Sequence, residues 1–219
     1  FGWDQNAQGI SFAAIGNHNN VMEKGKNYSG KGDLTTAGAL GSTLSGTIAG
    51  IDVFVNEEDT DVDFLLMGSA AYPKEEAQAL ANKLIAVAEA RQDAVAFISP
   101  YRGAAITDTS TQTAETIRNI DTITNNVLSF YSPITSSTYG VFDSGYKYMY
   151  DRFNETFRYV PLNGDIAGCC ARTDANDFPW FSPAGSDRGA ILNSVKLAYN
   201  PGKAQRDKLY GQRINPVIT

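Results

Sequence analysis

The sequence predicts an α/β fold: a parallel βαβαβ core sheet, extended by antiparallel strands and hairpins, with helices packed on the sheet. Three observations carry this. Short apolar runs of strand length recur at 62–67, 94–99 and 138–142. Between them, apolar residues repeat at helical spacing. After residue 145 the pattern changes to period two, the mark of half-buried strands. Strand–helix–strand repeated twice requires parallel neighbours joined by right-handed crossovers.

Residues 1–45 are polar and rich in Gly and Asn, with one strand candidate at Ile10–Ile15. A short helix is expected within 46–56. The first core strand is Val62–Met67, ended by Gly68. Pro73 then suits a helix start, and Glu75 and Glu76 suit its positive end. Ala77, Leu80, Ala81, Leu84, Val87 and Ala88 give that helix one apolar face, with Arg91 at its negative end. Ala94–Ser99 is the second strand, limited by Pro100. Thr109 with Gln112 has the form of a capping box, and Ile117, Ile120, Val127 and Leu128 form the stripe of the helix it would open. Thr138–Phe142 is the third strand.

Asp143–Gly145 reads as a turn. Tyr146, Tyr148 and Tyr150 alternate with Lys147 and Met149, and Thr156–Val160 follows after a turn at Asn154–Glu155. The tyrosines are expected to pack across strands rather than stack a sugar or base. Pro161 is expected to open a helix with Leu162, Ile166, Cys169 and Thr173 on one side. Asp165, Gly168 and Arg172 fall on another, and Gly168 would admit a close backbone. Residues 175–189 read as a loop whose Phe178, Trp180 and Phe181 fold back into the core. Ala190–Leu197 reads as a strand. Gly202–Arg213 reads as a polar helix with a Lys203–Asp207 pair. The expected division is 1–56, a loop- and short-strand-rich segment packed on the core, and 57–219, the α/β core itself.

The whole composition narrows the function. With 219 residues, 42% hydrophobic and 19% charged, the chain can bury a core without a metal or disulfide. Its net charge of −6 argues against nucleic acid and against an anionic membrane surface, both of which need a basic patch. No apolar run is long enough to cross a bilayer, and no signal peptide opens the chain. Phe1 in place of Met, and a stop soon after Ile214-Asn-Pro-Val217, predict a piece of a longer polypeptide. Cys169 and Cys170 are adjacent, about 3.8 Å apart at Cα, closer than the roughly 4.4 Å an ordinary bridge needs. They are expected to be reduced, buried thiols.

Catalytic and metal chemistry finds little support. Gly25–Lys31 has the spacing of a phosphate loop, but Gly32 stands where a magnesium-binding hydroxyl belongs. His18 is the only histidine and sits in a turn-like run, Asn17–Asn20. One His and two adjacent Cys cannot make a tetrahedral zinc site from those residue types. The acidic run Glu57–Asp63 lacks the glycine and terminal Glu of a calcium loop, so it reads as a solvated face or an intermolecular contact. No cofactor is expected.

Motifs in the last third then point to a family. Tyr146–Asp151, Val160–Asp174, Trp180–Asn193, Lys196–Ala198, Ala204–Tyr210 and Ile214–Val217 occur in one order. This series resembles the tail sheath proteins of contractile-tailed bacteriophages, and the resemblance continues colinearly back to about Val62. It implies a structural subunit and no enzyme. Sheath subunits stack as hexameric rings around a tail tube and switch from an extended to a contracted lattice, driving the tube into the host envelope. Their partners are other sheath subunits, the tail tube, the baseplate and the tail terminator. The implied location is the virion, with assembly in the host cytoplasm. Family members also carry arms that add strands to neighbouring subunits, and a region beyond the Ile-Asn-Pro-Val motif.

On this reading the candidate inter-subunit contacts are Asp165, Arg172, Asp174, Arg188, Lys203, Arg206, Asp207 and Arg213. Arg188 beside Gly189 suits pairing with a carboxylate, Asp165 or Asp174, within the subunit or across to a neighbour. Two other classes stay open. One is a hydrolase-like α/β enzyme whose Ser69, Ser99 and Asp143 would meet at the carboxyl ends of the parallel strands. The other is a non-contractile scaffold or adhesion module.

Overall fold

A computed structural model describes residues 44–69, 73–107, 116–153 and 155–219. The Ile10–Ile15 strand, His18, the 25–32 loop and the Thr109–Gln112 cap lie outside them. The described residues belong to one compact unit, Ser42–Thr219.

Two three-stranded sheets form the frame. The first is parallel, in the order β1 (Phe64–Leu66), β2 (Val95–Ile98), β3 (Gly140–Phe142), with Leu65 opposite Ala96 and Phe97 opposite Val141. The second is antiparallel, with β4 (Tyr146–Asp151) between β5 (Thr156–Pro161) and β6 (Lys196–Leu197). The predicted parallel core with antiparallel additions is the observed architecture.

Helix α1 (Leu44–Asp52) runs into a 3-10 turn at Val53–Val55 and packs on α2 (Lys74–Arg91). Helix α2 starts after Pro73, carries Glu75 and Glu76 in its first turn, and stops where Gln92 turns left-handed. Ala77, Leu80, Leu84, Ile85 and Ala88 bury its apolar face. Both α2 and α4 (Asn163–Asn176) pack against the buried strand β2. Pro161 is the last residue of β5 rather than the first of this helix: it still stands opposite Tyr146, and the next N–H, of Leu162, donates to Gly145 O at 3.1 Å.

Helix α3 (Ile120–Tyr131) begins later than the stripe suggests. Asn119 caps it, its side chain accepting from the N–H groups of Asp121 and Thr122. Ile117 therefore lies outside the helix, its N–H donating to Ala105 O at 2.9 Å. The buried face is Ile123, Thr124, Val127, Phe130 and Tyr131, while Ile120 is exposed.

Strand β6 is a further correction. The strand is Lys196–Leu197, with the Val195 and Ala198 N–H groups donating to Tyr148 O and Tyr146 O on either side; Asn193 adopts a left-handed φ of 54° and breaks the extended run before it. At Gly168 a built Cβ meets nothing within 4 Å, so among the described residues no neighbouring backbone approaches it. The tyrosine ladder behaves as expected: Tyr148 faces Tyr159 across the strands, rings 4.7 Å apart. Cys169 is buried, Cys170 is half-buried, and both thiols are free. Helix α5 (Lys203–Gly211) packs on α3, and Asn215 beyond it bridges to Asp143 at the end of β3.

Candidate functional site

The carboxyl ends of the parallel strands converge on a closed polar junction. Ser99, just past β2, donates to Asp143 Oδ2 at 2.6 Å. Asp143, just past β3, accepts the Gly145 N–H at Oδ1 at 2.9 Å. The first residue of α4 seals the pair: Asn163 N donates to Ser99 Oγ at 3.0 Å, and Asn163 Nδ2 donates to Gly68 O at 2.9 Å. Tyr131 places its hydroxyl between Ile98 O and Asp143 O, at 2.9 and 2.8 Å. Ser99 is 0% and Asp143 1% exposed. Burial pushes the Asp143 carboxyl up to about 8, with the Ser99 and Gly145 hydrogen bonds offsetting only part of that. Two of the three hydrolase-like candidates thus meet, but in the interior, with their hydrogen bonds committed to the fold. Ser69 is exposed and outside the network.

The charged candidates divide by location. Asp165 accepts from Lys147 Nζ at 2.7 Å, an ammonium that also donates to Leu192 O. Arg172 donates to Arg188 O at 2.6 Å and Ala190 O at 2.8 Å, fastening the 177–195 loop to α4. Arg188 finds Asp177, at 3.8 Å, instead of Asp165 or Asp174; its Nε donates to Ser182 O at 2.8 Å. Gly189 is required by close packing, since a Cβ there would sit 2.7 Å from Gly185 O. Asp174, Lys203 and Asp207 are exposed and Arg206 is half-buried. Lys203 and Asp207 do not pair; among the described residues, the ion pair on this helix is Lys208 with Asp121, at 3.9 Å. Arg213, exposed, reaches Ser136 Oγ at 3.2 Å.

Two surface features escaped the sequence reading. Phe178, Trp180 and Phe181 do not fold into the core. They cluster in the open, Phe178 stacked on Trp180 at 4.8 Å, with Trp180 74% exposed. The 177–189 loop closes on itself through bonds such as Gly189 N to Gly185 O and is tied to α4 by Arg172, while its aromatics stay outside. The other is the clamp that shapes the acidic run after α1, a run read from the sequence as a solvated face or an intermolecular contact. Arg91, buried at 4% exposure, donates to Phe54 O, Thr60 O and Thr60 Oγ1, and pairs with Asp93 at 2.8 Å. It pins a tight loop in which Asn56 Nδ2 donates to Asp59 Oδ2 and Thr60 Oγ1 to Asn56 O. A sequence signal did exist: Arg91 continues the apolar stripe of α2, three residues after Ala88. The acidic side chains themselves point to solvent. Among the described residues no cluster suited to a metal ion occurs, and no helix is long and apolar enough to cross a membrane.

Comparison with known proteins decides the family. The family model for the phage tail sheath protein central domain matches residues 40–219. The chain belongs to the phage tail sheath protein family. The tail sheath protein of Enterobacteria phage T4 is 36% identical over 222 residues, covering 98% of this chain and 34% of the relative. That of Vibrio phage KVP40 is 36% identical over 174 residues, covering 77% of this chain and 26% of the relative. That of Salmonella phage ViI is 30% identical over 137 residues, or 62% of this chain and 20% of the relative. The chain spans about a third of the length of the T4 tail sheath protein. The likeness reaches further toward the N-terminus than the motifs alone carried it, taking in α1 and the acidic loop.

Proposed function

We propose that this chain is the central part of a tail sheath subunit, a structural component of the phage virion that works by assembling with copies of itself. The sheath surrounds the tail tube, meets the baseplate and tail terminator, and changes from an extended to a contracted lattice to deliver the genome. The observation that carries the reading is the colinear match of residues 40–219 to the sheath central domain. The free energy of such a device lies in contacts between subunits, so a chemical centre is not required. The sealed Ser99–Asp143 junction agrees with that: it ties β2, β3 and α4 into a body that can move as a unit.

The contact residues on this reading are Asp174, Arg188, Lys203, Arg206, Asp207 and Arg213 on the surface, with Asp165 and Arg172 shaping that surface from within. Exposed charge pairs are each worth only about 0–1 kcal/mol, so a lattice can exchange them during a rearrangement. The test is electron microscopy of the full-length parent protein before and after a contraction trigger. Striated tubes of two lengths are expected. A parent that never polymerises, or a purified chain that turns over a small molecule at a rate set by one side chain, overturns the proposal.

A further inference from the structure

The charge of this chain is sorted by place. No Lys or Arg occurs between Lys31 and Lys74, a stretch that holds Glu57, Glu58, Asp59, Asp61 and Asp63. Helix α5 and its end carry Lys203, Arg206, Lys208 and Arg213 against Asp207 alone. The topology sets these two regions at opposite edges of the parallel sheet. The acidic loop leads directly into β1, one edge strand. The residues after α5 run beside β3, the other edge, where Asn215 N donates to Phe142 O at 2.9 Å. Arg213 also reaches Ser136, in the segment leading to β3.

Beside the acidic loop lies an apolar groove. Ile51, Phe54, Val62, Phe64, Leu66 and Leu80 line it, between α1, β1 and α2. Phe54, Phe64 and Leu66 are exposed. A parallel sheet normally has both faces covered, so apolar side chains open at its edge strand mark a surface that is closed by something else. On α5, Lys203, Arg206 and Tyr210 share one helical face, with Leu209 turned inward and buried. Tyr210 is 61% exposed, an aromatic with a polar tip set between cations.

We propose that the groove and its acidic rim receive α5 of a second copy of this chain. Tyr210 of that copy seats in the groove, and its Lys203 and Arg206 face Glu57, Glu58 and Asp61. The proposal rests on the sheath reading and supplies the partner for contacts that reading left one-sided. It also fixes the symmetry class. A contact between two different surfaces at opposite edges is heterologous, so it repeats from copy to copy into a ring or helix and does not close as a two-fold dimer. Arg91 is the positioning residue, since it holds the acidic loop in the shape that would be met.

The test uses two sets of charge reversals, on exposed positions and on the half-buried Arg206, at side chains for which the structure shows no ion pair among the described residues. One carries Glu57→Lys, Glu58→Lys and Asp61→Lys; the other carries Lys203→Glu and Arg206→Glu. Sedimentation velocity of the 219-residue chain at low ionic strength is expected to show association beyond dimers. Each set alone should weaken it by about tenfold or more. An equimolar mixture of the two variants should restore it, because each then offers the charge the other needs. Thermal melts within a few degrees of the unaltered chain establish that each variant is folded. A monomeric unaltered chain, an α5 reversal without effect, or a mixture that stays dissociated overturns the pairing. The same reversals in the full-length parent separate the two levels of argument. Tubes that still form from the α5 variant dismiss this contact and leave the sheath reading intact. An unaltered parent that forms no tubes dismisses the sheath reading itself.

Discussion

Helix α4 begins and ends in opposite surroundings. At its first residue, Asn163 is buried and closes the Ser99–Asp143 junction. Beyond its last turn, the 177–189 loop carries Phe178 and Trp180 in solvent and Arg188 half-exposed. Both regions combine aromatics with hydrogen-bonded polar groups. The first, sealed from water, joins the ends of β1, β2 and β3 to α3 and α4, and each hydrogen bond there replaces solvation that is no longer available. The second stays wet, and its Arg188–Asp177 pair is about a third exposed on both sides, so solvent screens it. A rigid body with an exchangeable surface needs both kinds.

Replacing one aromatic in each place gives the largest contrast. Tyr131 is 5% exposed, stacks on Phe142 at 4.7 Å and bonds two strand-end carbonyls. Tyr131→Ala should lower unfolding free energy by about 3–5 kcal/mol in urea denaturation of the chain. A loss under about 1 kcal/mol would place the weight of the fold elsewhere.

The pH dependence of the junction comes next. Asp143 has its folded carboxyl raised from 3.8 to about 8. The folded state therefore holds a proton that the unfolded state releases above about pH 4. Its contribution is full below that point and falls as pH rises toward 8, by up to about 1.4 kcal/mol per pH unit. Asp143→Asn should remove that slope, so the variant gains on the unaltered chain between pH 5 and 8. Parallel stability curves across that range would mean Asp143 is ionised in the fold. Ser99→Ala should cost less, about 1–3 kcal/mol, by leaving the Asn163 N–H and one Asp143 oxygen without their partner.

How far the sequence revealed this contrast depended on what carried the signal. Helix α2 and the alternating β4 were plain because a single period set their buried faces. Ser99 and Asp143 were visible as residues at strand ends, yet only the fold could say that Asn163 closes over them. The start of α3 was missed because Asn119, a lone capping residue, competed with a more regular Thr109–Gln112 pattern. Strand β6 was overestimated because Asn193 breaks an apolar run through its backbone angle, which the residue types around it do not announce. The aromatic loop was misplaced for a related reason: hydrophobicity argues for burial, while the hydrogen bonds of Arg172 to the carbonyls of Arg188 and Ala190 fix the loop on the outside.

The smallest expected effect sharpens the comparison most. Trp180→Ala removes a larger side chain than Tyr131→Ala does, from a residue 74% exposed. Its indole stacks on Phe178 and meets Phe181 edge-on, both exposed themselves, so the chain's stability should change by no more than about 0.5 kcal/mol. Arg172→Ala should have the reverse character. It frees the loop from α4, and protease cleavage between Asp177 and Ala190 should accelerate while the core melts nearly unchanged. If Trp180→Ala instead destabilises the chain as strongly as Tyr131→Ala, the loop is part of the core's cooperative unit. The two ends of α4 would then differ in exposure but not in energetic role.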